Sequence, residues 1–225
     1  MIRINIPVFV VFFLFVFGEQ VTSSTNPRIL LMGDSMMSWN RVANKSVANV
    51  IEAALGKEVA DRSVPGARYF YQLPISGSFG LRLTEQYRQG DWDWVVLNGG
   101  GNDLLLGCGC SRCDRMLNRL VSRDGRSGTI PEFVSRIGSS GAKVIYVGYL
   151  RSPGVKSSID VCKAAGDELD RRLTKMAHAF TDVVFISMAN LVPAGDRSFH
   201  QKDMVHPSIK GSQKIGERIL RQIKP

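Results

Sequence analysis

The sequence predicts an α/β fold built on a parallel sheet of five strands. Five short runs that are candidate strands alternate with segments whose apolar residues recur at helical spacing. The first run is apolar throughout, which is typical of a strand that is buried on both faces of a parallel sheet. Glycine follows each of the first three runs within a few residues, as expected where strands turn into loops. A chain of 225 residues can bury the core of such a domain.

Residues 1–23 are predicted to be a secretory signal peptide that is not part of the fold. Arg3 supplies the positive charge, Ile6–Phe17 is the apolar run, and Val21–Ser23 offers small residues for cleavage. The run is too short for a comfortable membrane span, although an uncleaved anchor is the alternative. We therefore expect residues 24–225 to form one exported domain, secreted or periplasmic.

The predicted strands and helices alternate along the rest of the chain. The strands are expected at Ile29–Met32, Glu58–Ser63, Trp92–Asn98, Lys143–Gly148 and Val183–Ser187. The helices are expected at Arg41–Leu55, around Arg82–Arg88, at Asp114–Ser122, Thr129–Ser139, Ile159–Phe180 and Ile209–Ile223. The simplest topology is a flavodoxin-like three-layer α/β/α sandwich with strand order 2-1-3-4-5. In that order the loops after the first and third strands face each other.

Four cysteines, Cys108, Cys110, Cys113 and Cys162, all lie after the predicted signal peptide. Export and an even count favour two disulfides. Cys108 and Cys110 are too close to bridge comfortably, so Cys162 is expected to pair with one of them and Cys113 with the other. The alternative is a four-thiolate zinc site, which the irregular spacing and an oxidising compartment both disfavour.

The predicted signal peptide carries one arginine and one glutamate, so its removal leaves the net charge of +9 unchanged. A positive charge of this size favours anionic partners. For an exported protein such partners are a membrane or an acidic envelope surface, not nucleic acid. Five arginines recur at helix-like spacing and could form a basic ridge, although a solvated helix face is the simpler interpretation. They are Arg112, Arg115, Arg119, Arg123 and Arg126. No interleaved aromatic residues suggest base stacking.

Ser35 ends the sequence Gly33-Asp34-Ser35, directly after the first predicted strand. Open parallel sheets bind ligands at the carboxyl ends of their strands, so the serine lies where a nucleophile would be useful. The alternative is that Ser35 only caps the next helix, a position that serine favours.

His206 is the candidate base for Ser35. Asp203 precedes it by three residues and could accept a hydrogen bond from Nδ1, which would leave Nε2 free to take the hydroxyl proton. Their loop follows the fifth strand and so lies at the same sheet edge as Ser35. A capping pair at the start of the last helix is the alternative interpretation, and structural roles are the simpler interpretation for His178 and His200.

Gly66 and Asn102 are candidate donors to an oxyanion. Gly66 offers a backbone N–H that no side chain obstructs, and Asn102 offers an amide after three glycines. Each feature alone is common in turns. Together with Ser35 and the Asp203–His206 pair, they make four signals in four loops at one sheet edge.

These four blocks, in this order, resemble the SGNH (or GDSL) hydrolases. The resemblance covers Ile29 to His206, with Met36 where the family usually has leucine, an apolar residue of similar volume. It implies a flavodoxin-like fold and serine esterase or lipase chemistry that needs no metal or other cofactor. It also implies that Ser35 is the nucleophile, His206 the base and Asp203 its orienting partner, with Ser35, Gly66 and Asn102 donating to the oxyanion.

The substrate is less well defined by the sequence. Met36, Trp39 and Tyr69 lie nearest to the catalytic blocks and are candidate substrate contacts, although core packing is the alternative for each. We expect a small ester or acylated substrate, either a lipid or a short-chain acyl ester. The alternatives are an O-acetylated envelope glycan and a non-catalytic protein that binds an envelope surface. The sequence predicts no oligomeric state.

Overall fold

The computed structural model describes residues 28–155 and 157–223. The predicted signal peptide, residues 1–23, lies outside the described residues. In the described part of the chain, no helix has the length and apolar character needed to cross a membrane.

Five parallel strands form one sheet in the order β2-β1-β3-β4-β5, which confirms the predicted fold class and strand order. The strands are β1 Ile29–Met32, β2 Ala60–Asp61, β3 Trp94–Leu97, β4 Lys143–Val147 and β5 Val183–Ile186. Leu31 in the central β1 pairs with Asp61 on one side and Val96 on the other. The carboxyl ends of β1 and β3 therefore lie side by side.

Eight α-helices accompany the sheet in the described residues. They are α1 Ser35–Ser38, α2 Val47–Leu55, α3 Pro74–Ser76, α4 Gly101–Cys108, α5 Asp114–Leu120, α6 Thr129–Gly138, α7 Lys163–Ala179 and α8 Ile209–Ile223. Short 3₁₀ segments lie at Arg41–Ala43, Leu83–Gln86, Asp160–Cys162 and Arg197–Phe199, and a π-helical turn at Gly77–Leu81.

Two buried clusters cover the two faces of the sheet. Ile29 and Leu31 pack into the cluster that includes α2 and α8, whereas Leu30 and Met32 pack into the cluster that includes α4 to α7. All four side chains of β1 are at most 1% exposed. Successive residues of a strand point to opposite faces, so a strand buried on both must be apolar throughout. The helices therefore form outer layers around the sheet.

The predicted helix Arg41–Leu55 is wrong in its first turns. Asn40 and Asn44 have left-handed backbones with φ of 66° and 53°, and a helix cannot continue through that conformation. The helix α2 begins instead after Ser46, which accepts a hydrogen bond from the backbone N–H of Asn49 while the Asn49 side chain accepts one from the N–H of Ser46. This reciprocal cap explains the later start.

The helix α4 was not predicted, because the glycines before Asn102 indicated a loop. The chain turns at Gly100, whose φ is 93°, and the helix starts at Gly101. A Cβ on Gly101 would lie 2.6 Å from Cζ of Tyr149, so only glycine allows the helix to approach that ring. The glycines therefore serve close packing, and Asn102 lies in the first helical turn.

The disulfides pair Cys108 with Cys113 and Cys110 with Cys162. This agrees with the expectation that Cys108 and Cys110 have different partners, and it resolves which one binds Cys162. The second bridge fastens the segment before α7 to the end of α4.

Candidate active site

Ser35 is the first residue of α1, directly after the turn that ends β1. The helix cap is Asp34, whose Oδ1 accepts a hydrogen bond from the backbone N–H of Met36 at 2.9 Å. The alternative that Ser35 serves as the cap is therefore wrong, and its side chain has no capping role. Among the described residues, no hydrogen bond joins Ser35 Oγ to another group.

Asp34 is the polar centre of the site, and sequence reasoning did not assign it a role. It is 1% exposed, and Oδ2 accepts hydrogen bonds from the hydroxyl of Tyr149 at 2.5 Å and from Nδ2 of Asn102 at 3.3 Å. Oδ1 also accepts one from Nδ2 of Asn98 at 3.1 Å. Burial raises the pKa of Asp34, and the hydrogen bonds from Tyr149, Met36 and Asn98 work against that rise.

Asp203 and His206 form the predicted pair in the loop before α8. His206 Nδ1 lies 2.6 Å from Asp203 Oδ2, and the backbone N–H of His206 donates to Asp203 Oδ1 at 3.0 Å. Burial tends to raise the pKa of Asp203, but the hydrogen bonds from His206 and Val205 outweigh it and hold that pKa below its ordinary value. The carboxylate can therefore orient the imidazole through Nδ1.

Trp39 stacks on the imidazole of His206. The ring centroids lie 3.6 Å apart, and the planes differ by 5°. Trp39 was expected to contact substrate, but in the described structure it is not part of the cavity wall that contains Ser35 and His206. Its observed contact instead fixes the plane of the candidate base.

Ser35, Asn102 and His206 line one cavity of about 440 Å³ at the carboxyl edge of the sheet. Met36, a candidate substrate contact, also lies on the wall. The rest of the wall is largely apolar and comes from α4, from the segment after β4, and from the start of α7. Its apolar residues include Leu104, Leu105, Leu150, Ile159, Leu169 and Val205. The cavity therefore offers an apolar volume beside the serine hydroxyl.

The three predicted oxyanion donors differ in their availability. Gly66 lies in a turn with φ of 79°, closed by the hydrogen bond from Ala67 N to Val64 O. In the described residues, no group accepts a hydrogen bond from the backbone N–H of Ser35 or of Gly66. Asn102 Nδ2 instead donates to Asp34 and, at 3.0 Å, to Ala67 O. That second bond ties the first turn of α4 to the Gly66 turn, although Gly66 itself is not among the described residues of the cavity wall.

Tyr69 is not placed to contact substrate, which corrects the sequence interpretation. Its ring is 4% exposed within the core, and its hydroxyl lies 3.1 Å from that of Tyr146. The reason is that Asp103 accepts hydrogen bonds from the backbone N–H groups of Tyr69 and Phe70, which holds this segment against α4. His200 is buried and does not line the described cavity wall.

Metal ligands are not grouped in the described residues: no three His, Cys, Asp or Glu side chains are arranged to hold an ion. The candidate chemistry rests on the serine, the histidine and the carboxylate.

A parallel α/β fold with this serine and this Asp–His pair at one sheet edge defines a serine hydrolase. The sequence matches the model of the GDSL-like lipase/acylhydrolase family over residues 31–214. The chain therefore belongs to the GDSL-like lipase/acylhydrolase family, whose members hydrolyse esters. No curated protein shows a match to the sequence.

Solved structures share the fold at low sequence identity. TesA is 18% identical with a TM-score of 0.62, over 88% of this chain and 98% of that one. The lipase Lip_vut3 from a goat rumen metagenome is 15% identical with a TM-score of 0.55, over 88% and 97%. A carbohydrate esterase family 2 enzyme from Corynascus thermopiles is 14% identical with a TM-score of 0.55, over 88% and 65%. At these identities the likeness concerns the fold alone.

Proposed function

We propose that this protein is an exported serine esterase that cleaves a carboxylic ester through an acyl-serine intermediate. The observation that carries the proposal is the shared cavity. Ser35 and His206 both line it, and His206 Nδ1 is held by Asp203 at 2.6 Å. A histidine oriented in this way has Nε2 available to accept the serine proton.

The reaction would proceed in two halves. Ser35 Oγ attacks the carbonyl carbon while His206 Nε2 takes the hydroxyl proton, and Asp203 stabilises the imidazolium that forms. Collapse of the tetrahedral intermediate breaks the bond to the alcohol, which leaves with the proton from His206. Water then attacks the acyl-serine by the same route and releases the acid and free Ser35.

The oxyanion of the intermediate would be bound by the backbone N–H of Ser35, which lines the cavity, and by that of Gly66, in the turn that Asn102 contacts through Ala67 O. Neither N–H has an acceptor among the described residues. Asn102 would join them by exchanging its bond to Asp34, the longer of its two at 3.3 Å against 3.0 Å. Such donors contribute when they are held in place before the charge develops, and the bond to Ala67 holds this amide.

An acyl chain is the substrate group that the cavity favours. Its wall is mainly apolar, and a volume of about 440 Å³ exceeds what an acetyl group requires. Lipid or other acyl esters are therefore the proposed substrates. A carbohydrate O-acetyl esterase is the second candidate, supported by the fold shared with a carbohydrate esterase family 2 enzyme.

Covalent labelling by a fluorophosphonate probe tests the proposal directly. The wild-type protein should be labelled, and Ser35→Ala should not be labelled and should lose about 10⁵- to 10⁶-fold in turnover. Ser38→Ala is the matched control, because Ser38 lies in the same helix but does not line the described cavity wall. Absence of labelling in the folded wild-type protein would instead support a non-catalytic binding role.

Hydrolysis of a series of esters then separates the two substrate classes. The proposed acyl specificity requires kcat/KM to rise from acetyl to octanoyl esters of one alcohol. A maximum at acetyl, together with release of acetate from an acetylated glycan, would favour the carbohydrate esterase.

The proposal also includes export of the protein and its binding to an anionic surface. The two disulfides are consistent with an oxidising compartment, and the charge of +9 favours a membrane or envelope surface as partner. Cleavage of the predicted signal peptide would be seen by N-terminal sequencing of the exported protein.

A further inference from the structure

A second concave surface lies beside the active-site cavity, and its charge is entirely positive. Three arginines line it, Arg112, Arg115 and Arg119, and we refer to it as the arginine concavity. Ser111, Cys108 and Met116 complete most of its wall. Arg115 and Arg119 are four residues apart in α5 and therefore lie on the same face of that helix.

These arginines have no anionic partner within residues 28–155 and 157–223. Arg151 and Arg172, in contrast, bond to Asp167 and Glu168 at 3.0 and 2.6 Å. Like charges four residues apart destabilise a helix, so an unpaired cluster is unfavourable unless an anion compensates it. The only acidic residue between positions 109 and 123, Asp114, is not part of the wall.

Phe70 restrains the position of one of the three guanidinium groups by stacking against it. The Arg119 guanidinium lies 3.8 Å from the centroid of the Phe70 ring, and the backbone of Phe70 is in turn held by Asp103. Stacking uses the face of the guanidinium and leaves the N–H groups on its edge available. Arg119 is therefore restrained without losing its donors.

The cysteine loop connects the concavity to the active-site cavity. Cys162 lines the cavity and is bonded to Cys110, whereas Cys108 lines the concavity and is bonded to Cys113. Helix α4 contributes Leu105 to the cavity and Gly107 to the concavity, a separation of about 3 Å along the helix axis. Both surfaces therefore include residues of α4 and of the segments that the two disulfides join.

We propose that the arginine concavity binds a phosphate group. A phosphate presents several anionic oxygens, which match three guanidinium forks better than the two oxygens of a carboxylate do. The phosphate could belong to the headgroup of an anionic phospholipid or to a soluble phosphate ester. This site concerns binding alone and does not depend on the proposed hydrolysis.

Binding is best measured with the full mature chain carrying Ser35→Ala, so that no probe is hydrolysed. One arm uses co-sedimentation with phosphatidylglycerol vesicles, with phosphatidylcholine vesicles for comparison. The other arm uses calorimetric titration with glycerol 3-phosphate. The test variant is Arg112→Gln/Arg115→Gln, and the matched control is Arg123→Gln/Arg126→Gln, which removes the same charge from exposed side chains outside the concavity.

The test variant should lose about 30-fold in affinity for the probe that binds, whereas the control should lose less than about 5-fold. Arg112→Lys/Arg115→Lys should recover only part of the loss, because lysine keeps the charge but not the fork. Binding to phosphatidylglycerol alone would identify a lipid headgroup, and binding to glycerol 3-phosphate would identify a soluble ester. Equal losses in the two double variants, or no binding of either probe, would overturn the proposal.

Discussion

Trp39 and His206 lie face to face, with ring centroids 3.6 Å apart and planes 5° from parallel. Asp203 holds the same imidazole through Nδ1 at 2.6 Å. The hydrogen bond to Asp203 alone would let the imidazole ring rotate about the axis of that bond, whereas the stacked indole of Trp39 also fixes the plane of the ring. The orientation of the candidate base is therefore set by two contacts at right angles.

Replacing Trp39 by alanine should lower kcat about 5- to 10-fold, which corresponds to the energy of an aromatic stack. KM should change little, because Trp39 is not part of the described cavity wall. Trp39→Phe should recover most of the loss. Steady-state kinetics with a nitrophenyl ester measure both parameters, and a rise in KM at unchanged kcat would show that Trp39 contacts substrate instead.

Asn102 is expected to matter for the transition state more than for folding. Asn102→Ala should lower kcat by about 10²- to 10³-fold, the effect of removing one oxyanion donor. Asn98→Ala is the informative comparison, because Asn98 also donates to Asp34 but does not line the described cavity wall. Asn98→Ala should mainly lower the free energy of unfolding, measured in urea, and should change kcat little. Similar losses of kcat in the two variants would contradict the oxyanion role of Asn102.

The strand order could be predicted because it depends on patterns that burial imposes. A run such as Ile29–Met32 is apolar throughout because both its faces are covered, and that pattern is visible in the sequence. The start of α2 and the existence of α4 could not be predicted in the same way. They depend on left-handed residues and on glycine contacts with a ring that is distant in the chain.

The candidate site could likewise be predicted from the sequence only in part. Ser35, Asp203 and His206 were singled out by residue type and spacing, and the structure brings Ser35 and His206 to one cavity. The contact between Trp39 and His206 joins residues 167 positions apart, and no local pattern predicts it. Asp34 was missed for a similar reason, since its partners Asn98, Asn102 and Tyr149 come from two other strand ends.

Tyr149 should stabilise the fold through its hydroxyl. That group donates to the buried Asp34 carboxylate at 2.5 Å, so Tyr149→Phe should cost about 1–3 kcal/mol in the free energy of unfolding. Tyr71→Phe is the control, since among the described residues the Tyr71 hydroxyl bonds only to Ser76, in a half-buried position. Its cost should stay below about 1 kcal/mol. Urea unfolding of both variants measures the difference, and equal costs would show that Asp34 does not depend on Tyr149.

The two disulfides should contribute unequally to stability. Cys110 and Cys162 are 52 residues apart, and Cys108 and Cys113 only 5, so the first bridge restricts the unfolded chain more. Loop entropy gives a loss of about 4 kcal/mol for Cys110→Ser/Cys162→Ser and about 2 kcal/mol for Cys108→Ser/Cys113→Ser. Denaturant unfolding of the two double variants checks the order, and the reverse order would mean that strain or residual structure dominates.

Asp103 should make stability depend on pH between about 4 and 6. Burial raises its pKa to about 6 from an ordinary value of 3.8, against the hydrogen bonds from the N–H groups of Phe70 and Tyr69. The folded state therefore holds this proton more tightly than the unfolded state does. The resulting stabilisation is complete below about pH 4 and is lost as pH rises through the folded pKa, by a total on the order of 3 kcal/mol.

Asp103→Asn should remove this dependence, because the amide carries no charge at any of these pH values. Urea unfolding of both proteins at pH 4, 5, 6 and 7 measures it. The free energy of unfolding of the wild type, minus that of the variant, should fall as pH rises. The reason is that ionisation of Asp103 destabilises the folded wild type, whereas the amide of the variant does not ionise. Parallel curves would mean that the carboxylate is fully compensated by the two backbone N–H groups. The raised pKa would then not describe Asp103 in the folded protein.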